Sequence, residues 1–120
     1  MAVKSFDEFV AGGGSRVSEI PAADAVGMHR NGDDLVYLDV RESNEWNLFR
    51  IPGALHLPVG RVRECVCEVI PAEKRVIVYC ARGGRAAQAA DTMRELGYRR
   101  VAIVKGGVAA WHEAGGELEE

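Results

Sequence analysis

The sequence predicts an α/β domain built on a mainly parallel sheet. Short runs rich in β-branched and other apolar residues alternate along the chain with stretches of helical periodicity. Two of these runs, residues 35–40 and 76–79, are apolar or aromatic almost throughout, which is typical of strands covered on both faces. The length of 120 residues suits a single domain.

Composition along the chain predicts three parts. Residues 1–16 form an N-terminal extension, which a Gly-rich joint at 12–15 separates from the remainder. The globular domain is expected over residues 17–116, and an acidic tail over 117–120.

Local patterns place the individual elements. Strands are predicted at residues 18–20, 35–40, 54–57, 76–79 and 101–104. Helices are predicted to begin near residues 4, 21, 43, 58, 84 and 108. Pro21 suits the first turn of a helix, Ser43 offers a helix cap, and Gly97 is placed to end the helix before it. Gly106 and Gly107 form the turn from the last strand into the last helix.

Composition and charge exclude several classes of function. Hydrophobic residues make up 48% of the chain and charged residues 28%, as in an ordinary soluble globular protein. The net charge of −3 offers no basic patch for nucleic acid, and no apolar run is long enough to span a bilayer. The polar, acidic N-terminus does not resemble a signal peptide. We therefore expect a cytoplasmic protein without a nucleic-acid or membrane partner.

The spacing of the cysteines and histidines does not predict a metal site. Three cysteines without scaffold-like spacing do not indicate a disulfide framework either. Cys65 falls on the apolar face of its helix, so packing in the core is expected, whereas Cys67 lies off that face. The histidines are scattered along the chain at His29, His56 and His112. We expect no metal and no cofactor, while a disulfide or an exchange reaction with Cys80 stays open.

One segment carries the pattern of a reactive cysteine. Cys80 follows an apolar strand, and an alanine-rich helix is under way a few residues later. Between them stand Gly83 and Gly84 with Arg82 and Arg85. A helix start offers unpaired N–H groups and the positive end of the helix dipole, and glycines allow such groups to turn inward. An anion on the sulfur would be held from several directions, although a buried, inert cysteine is the alternative.

Chemistry-bearing residues also follow other predicted strands. Asp39, Cys80 and Lys105 all lie at strand ends. Because ligands of parallel α/β sheets bind beyond the carboxyl ends of the strands, we expect these residues at one edge of the sheet. Asp39 must be paired there, and Arg41, Arg85 and backbone N–H groups are the candidate partners.

Short motifs spread along the chain form a recognisable series. They are Leu38-Asp39-Val40-Arg41-Glu42, Glu45-Trp46, Ile51-Pro52-Gly53-Ala54, Cys80-x-x-Gly83-x-Arg85, Gly97-Tyr98, and Gly106-Gly107 followed by Trp111. Their order and spacing resemble a single rhodanese domain over roughly residues 17–116. The resemblance implies a rhodanese-like α/β fold in which a five-stranded, mainly parallel sheet is flanked by helices on both faces. It also implies a sulfurtransferase of the thiosulfate sulfurtransferase type.

Carried over position by position, the resemblance makes Cys80 the catalytic nucleophile. It takes a sulfur atom from a small anionic donor such as thiosulfate, holds it as a persulfide, and passes it to cyanide or a thiol. The loop that binds the persulfide then consists of Ala81, Arg82, Gly83, Gly84 and Arg85. Arg82 is either a cation that attracts the donor or a solvated loop residue.

The resemblance also implies supporting residues around this loop. Arg85 is expected to be tied to a carboxylate such as Asp39 or Glu45. Arg41 is expected to face the pocket. These side chains would position the loop as much as take part in the chemistry.

The chain departs from the family pattern in one turn. Members commonly carry Gly-His before Ile-Pro-Gly-Ala, whereas Phe49 and Arg50 precede Ile51 here. The turn is far from Cys80 in sequence, so we expect altered packing or surface near residues 47–51 and retained activity.

Three other functions stay open beside sulfur transfer to a small molecule. Related phosphatases and arsenate reductases use a Cys-x5-Arg loop, whereas Cys80 and Arg85 form the shorter Cys-x4-Arg. A smaller loop fits one terminal sulfur better than a tetrahedral oxyanion, and no general acid is identifiable. A non-catalytic binding module would not need Cys80. A persulfide carrier that delivers sulfur to a protein acceptor would use the same residues.

Overall fold

The computed structural model describes residues 4–120 as a five-stranded sheet in the order β1-β5-β4-β2-β3. The strands are β1 (Ser18–Ile20), β2 (Val36–Asp39), β3 (Leu55–His56), β4 (Val76–Tyr79) and β5 (Val101–Val104). All the pairings between neighbouring strands of this sheet are parallel. The predicted α/β fold with a five-stranded parallel sheet is therefore confirmed.

Helices cover both faces of the sheet. They are α1 (Phe6–Gly12), α2 (Ala22–Arg30), α3 (Ser43–Leu48), α4 (Val62–Val69), α5 (Gly84–Glu95) and α6 (Gly107–Glu113). A single 3₁₀ turn, Val59–Arg61, precedes α4, so that this helix begins later than the sequence pattern predicts. Within residues 4–120, none of the helices has the length and apolar character needed to cross a membrane.

The third strand is shorter than predicted. The pairing with β2 covers only Leu55 and His56, where the sequence indicates a strand over 54–57. The Ala54 N–H turns back to the Ile51 carbonyl at 3.1 Å, so it is used in a turn rather than in the sheet. Pro58 follows closely and has no N–H to donate.

Alternate residues of β2, β4 and β5 enter two separate cores. Leu38, Val78, Cys80 and Ile103 pack with α4 and α5 on one face. On the other face, α1, α2 and α6 cover residues that include Tyr37, Ile77, Tyr79, Ala102 and Val104. Small, fully buried alanines in α5 allow that helix to lie close to the sheet: Ala86, Ala89 and Ala90. This alternation directs the Cys80 side chain to the α5 side of the sheet.

Parallel register brings two predicted site residues to one edge. Asp39 is paired with Tyr79 in the β2–β4 ladder, and Cys80 comes directly after Tyr79. The Val40 N–H donates to the Tyr79 carbonyl at 3.0 Å, which extends this contact past the ends of the strands. The carboxyl edge of the sheet therefore carries the Asp39 and Cys80 positions side by side.

The extension is packed on the sheet along its described part, while residues 1–3 of the predicted 1–16 segment lie outside the described residues. Phe6 is 4% exposed within the core beside α2 and α6. Asp7 accepts two hydrogen bonds of 2.9 Å from Arg75, and the Ser18 hydroxyl donates to the Phe9 carbonyl at 2.8 Å. The contacts join α1 to the loop before β4 and to β1.

The buried phenyl ring makes the contribution of α1 to stability measurable. We expect Phe6→Ala to lower the free energy of unfolding by about 3 kcal/mol, because it removes a buried aromatic side chain from the core. Urea unfolding followed by circular dichroism measures the change. Val69→Ala is the matched control, since Val69 is 50% exposed and should cost less than about 0.5 kcal/mol. Equal effects of the two substitutions would show that α1 does not contribute to the folded core.

Candidate active site

The Cys80 sulfur lies beneath the start of α5. The residue is 1% exposed and follows β4 directly. Its Sγ accepts hydrogen bonds from the Gly83 N–H at 3.0 Å and from the Ala86 N–H at 3.4 Å. Both donors belong to the beginning of α5, where N–H groups have no partner inside the helix and the dipole is positive. The arrangement stabilises negative charge on the sulfur.

Gly83 makes the turn that this arrangement requires. Its φ is +131°, a conformation that side chains with a Cβ rarely adopt, and its N–H donates to the sulfur from there. Gly84, in contrast, does not have a positive φ, and a Cβ added there would meet no atom within 4 Å. The conformational need for glycine in the loop therefore falls on Gly83.

The last helix, α6, holds the cysteine loop through backbone hydrogen bonds. The Val108 N–H donates to the Cys80 carbonyl at 2.8 Å, and the Ala109 N–H donates to the Ala81 carbonyl at 3.2 Å. Gly107, with φ of +66°, lies so close that an added Cβ would clash with the Ala81 carbonyl oxygen. The sequence favours a simple turn at Gly106 and Gly107, with a place beside the pocket as the alternative, and the structure uses Gly107 as a point of backbone contact with the cysteine loop.

Arg85 is paired with Glu45 across the mouth of the loop. Its Nη1 and Nη2 donate to the two carboxylate oxygens at 2.7 and 3.0 Å. Of the two carboxylates that the sequence suggests for Arg85, the structure selects Glu45. The hydrogen bonds from Arg85, together with one from the Glu42 N–H, lower the pKa of Glu45 to about 2. The pair connects the first turn of α5 to α3.

Asp39 is paired instead with its near neighbour Arg41. The two side chains are 0% and 2% exposed, and Arg41 donates from Nη2 at 2.8 Å and from Nε at 3.1 Å. Burial disfavours the charged guanidinium, but the hydrogen bonds and charge of Asp39 outweigh this penalty and raise the pKa of Arg41. The Arg41 Nη2 also donates to the Phe49 carbonyl at 2.6 Å. Asp39 thus acts on the site through Arg41 and the turn that follows α3.

A cleft of about 610 Å³ opens beside the loop. Its walls come from α3, the cysteine loop, α6 and the end of the described chain. They are Arg41, Glu45, Leu48, Phe49, Ala81, Arg82, Val108, Ala109, His112, Leu118, Glu119 and Glu120. Arg82 is exposed at this cleft. Cys80 does not line the cleft but immediately precedes Ala81, which does.

The Phe49-Arg50 turn, where the sequence departs from the family pattern, pairs with the tail. Arg50 and Glu119 form an antiparallel bridge with backbone hydrogen bonds of 2.9 and 2.8 Å, and the Arg50 Nε lies 3.5 Å from a Glu119 carboxylate oxygen. The Arg50 guanidinium also lies over the Trp46 ring at 4.9 Å, while the Phe49 ring lies 5.1 Å from the Arg41 guanidinium. The tail becomes a wall of the cleft through this bridge.

The sequence does not indicate this role of the tail. Residues 117–120 show neither periodicity nor a motif, and the only available signal is their negative charge opposite Arg50. Leu118 is missed for the same reason, whereas His112 is missed because the helical pattern does not show which face of α6 borders the cleft. Two other residues lie away from the cleft lining: Lys105, although it follows β5, and Cys67, which is exposed on α4.

Comparison with known proteins assigns the family. A model of the rhodanese-like domain matches residues 22–114. The chain belongs to the rhodanese-like domain family. A sulfurtransferase from Allochromatium vinosum is 32% identical over 99 residues, which cover 82% of this chain and 92% of that protein. A thiosulfate sulfurtransferase from Coxiella burnetii is 33% identical over 78 residues, covering 65% of this chain and 72% of that protein.

Solved structures agree on the fold of this rhodanese domain. A protein of unknown function from Rhodopseudomonas palustris, described as a possible tyrosine phosphatase, superposes with a TM-score of 0.80 at 30% identity. The match covers 99% of this chain and 97% of that one. Some other curated relatives are much longer, and the rhodanese domain described here spans 42% of one and 21% of another.

The close approach of Gly107 to the loop predicts a sensitive position. We expect Gly107→Ala to lower the free energy of unfolding by about 2 kcal/mol or more, because the new Cβ clashes with the Ala81 carbonyl and the positive φ is strained. Gly27→Ala is the matched control, since a Cβ there meets nothing within 4 Å and the residue lies inside α2. It should stabilise by about 0.5 kcal/mol. Thermal unfolding of both variants measures the difference, and a neutral Gly107→Ala would contradict the contact.

The Glu45–Arg85 pair predicts a pH dependence of stability. Because the pKa of Glu45 is depressed to about 2 in the fold, its stabilisation is complete above its ordinary pKa of 4.5. That stabilisation is lost as pH falls from 4.5 through 2. At neutral pH, the free energy of unfolding of wild type should exceed that of Glu45→Gln by about 1 kcal/mol. This gap should close as the pH falls from 4.5 through 2. Urea titrations at successive pH values measure the gap, with Glu64→Gln, an exposed glutamate of α4, as control. A gap that is the same at pH 7 and pH 2 would contradict the pairing.

Proposed function

We propose that the protein is a sulfurtransferase that moves a sulfane sulfur through a persulfide on Cys80. The donor is a small anion such as thiosulfate, and the acceptor is cyanide or a thiol. The observation that supports this proposal most directly is the pair of N–H groups, from Gly83 and Ala86, that donate to Sγ. Names of relatives add support, because the relatives from Allochromatium vinosum and Coxiella burnetii are called sulfurtransferases, and the second carries thiosulfate in its name.

In the first step, the Cys80 thiolate attacks the outer sulfur of thiosulfate. A bond forms between Sγ and that sulfur, the S–S bond of the donor breaks, and its electron pair leaves with sulfite. The negative charge moves to the terminal persulfide sulfur. N–H groups at the start of α5 are placed to stabilise that charge, as they do for Sγ.

In the second step, a nucleophile removes the outer sulfur. Cyanide or a thiolate forms a bond to it, the bond to Sγ breaks, and Cys80 returns to the thiolate. The exchange is a ping-pong sequence in which no separate oxidant or reductant takes part. Over the two steps together, one sulfane sulfur passes from donor to acceptor, and the oxidation state of Cys80 is the same at the end as at the start.

The other predicted site residues have positioning roles in this proposal. Ala81 and Gly84 contribute backbone to the loop, and Arg85 holds its far end through Glu45. Asp39 and Arg41 hold the adjoining edge of the sheet and the carbonyl of the turn after α3. Arg82 is the exposed cation of the loop, and its charge attracts an anionic donor.

Phosphatase chemistry is the second candidate, since one structural neighbour is described as a possible tyrosine phosphatase. Two features of this chain oppose it. The spacing from Cys80 to Arg85 is one residue shorter than in Cys-x5-Arg enzymes. The Arg85 guanidinium, whose charge an oxyanion would need, is already paired with Glu45 through Nη1 and Nη2. A sulfur carrier that serves a protein thiol shares the persulfide and differs only in the acceptor.

The proposed persulfide predicts a specific change in mass. Incubation with thiosulfate should add the mass of one sulfur atom to the protein, and cyanide should then remove it with formation of thiocyanate. Cys80→Ser should abolish both steps, because Cys80 is the nucleophile. Intact-mass spectrometry and a thiocyanate assay provide the measurements.

Matched variants separate this proposal from the alternatives. The double variant Cys65→Ser with Cys67→Ser should load sulfur as wild type does, since neither residue lines the cleft. Retained loading in Cys80→Ser would contradict the assignment of the nucleophile. Faster hydrolysis of para-nitrophenyl phosphate than transfer of sulfur would favour the phosphatase instead.

A further inference from the structure

The size of the cleft exceeds what the simplest substrates need. Thiosulfate and cyanide contain only a few atoms, whereas the cleft encloses about 610 Å³. Volumes of about 300–1,000 Å³ are typical of sites for small organic ligands. The space beside the loop therefore fits a molecule that has a substantial organic group in addition to its reactive sulfur.

The lining of the cleft is largely apolar. Its apolar members are Leu48, Phe49, Ala81, Val108, Ala109 and Leu118. Leu48 at its rim is 66% exposed, which is the highest exposure among the large hydrophobic residues that the structure leaves exposed. An organic group placed between Leu48, Phe49 and Leu118 would remove apolar surface from water on several sides.

Most charges around the cleft are already neutralised. Arg41 is paired with Asp39, Glu45 with Arg85, and Glu119 with Arg50. Among the described wall residues, Arg82 in the cysteine loop keeps a positive charge without an ion pair, whereas Glu120 at the tail would repel a ligand carboxylate. Beyond the loop, the lining therefore favours a ligand whose organic group is uncharged.

The cleft also borders the start and the end of the cysteine loop. Ala81 and Arg82, which follow Cys80 directly, form part of the wall. Glu45, another wall residue, holds Arg85 at the far end of the loop. A thiol whose organic group fills the cleft would thus present its sulfur to the loop that carries the persulfide.

We infer that the sulfur acceptor is a small organic thiol with an uncharged apolar group, which binds between Leu48, Phe49 and Leu118. This inference rests on the proposed function. The acceptor thiolate forms a bond to the outer sulfur of the Cys80 persulfide, and the bond between that sulfur and Sγ breaks with its electron pair going to Sγ. The products are the free Cys80 thiolate and an organic persulfide, so that atoms and charge balance.

Discharge of the preloaded protein tests the inference. The full chain is loaded with thiosulfate, desalted, and mixed with phenylmethanethiol, 2-mercaptoethanol or cyanide while intact mass is followed. We expect phenylmethanethiol to discharge the protein about tenfold faster than 2-mercaptoethanol at equal thiolate concentration, because its ring is buried in the cleft. Leu48→Ala should slow discharge by phenylmethanethiol about threefold and discharge by cyanide by clearly less, because cyanide has no organic group to contact Leu48.

The control is a second exposed leucine. Leu55 is 41% exposed on β3 and does not line the cleft, so Leu55→Ala should change neither rate. Both leucines are partly exposed, so folding of the variants is expected and is checked by circular dichroism. Equal rates for the two thiols, or a loss with cyanide as large as that with phenylmethanethiol, would overturn the inference.

The remaining outcomes separate the inference from the proposed function. Failure of the wild-type protein to load sulfur would overturn the proposed function and the inference with it. Normal loading followed by faster discharge with glutathione or reduced thioredoxin would overturn the inference alone. The first of these acceptors would indicate a charged thiol, and the second a protein.

Discussion

The buried ion pair between Asp39 and Arg41 is the contact on which the site depends. Asp39 ends β2 beside Tyr79, so a carboxylate is buried directly next to the residue that precedes Cys80. A buried charge of this kind is tolerated only when it is paired and hydrogen-bonded, and Arg41 supplies both. The Arg41 carbonyl in turn lies 2.8 Å from His56 Nε2, and its guanidinium holds the Phe49 carbonyl. One ion pair therefore joins the sheet edge, β3 and the turn that forms a wall of the cleft.

Local patterns in the sequence are enough to place the loop. A strand of apolar residues, then a cysteine, glycines and a helix constrain the backbone within a few residues, and Gly83 and Ala86 do donate to the sulfur. The same patterns cannot decide between Asp39 and Glu45 as the partner of Arg85, because Asp39 ends β2 and Glu45 follows it closely in sequence. Only the direction of α3 after the Arg41 turn brings Glu45 to within 2.7 Å of Arg85.

Contacts between distant segments escape prediction for a different reason. Gly107 reads as a flexible turn residue, and nothing local shows that its Cα position faces the Ala81 carbonyl. The bridge between Arg50 and Glu119 joins parts of the chain that share no periodicity, and its backbone hydrogen bonds leave no mark on composition. From the sequence alone, a short acidic tail is typical of a solvated chain end, and only the folded structure shows that it pairs with Arg50.

The bridge between Arg50 and Glu119 fixes the position of the tail without fixing the side chains next to it. Its two hydrogen bonds run between backbone atoms, so they are insensitive to which side chains stand at the neighbouring positions. The half-buried Leu118 side chain also packs against the core that α1, α2 and α6 cover, so an apolar residue of another size can replace it while the tail stays in place. Natural or engineered changes at this one wall position can alter the shape of the cleft without touching the strand, loop and helix around Cys80. Under the proposed function, ligand choice and sulfur transfer are thus encoded at positions that can change independently.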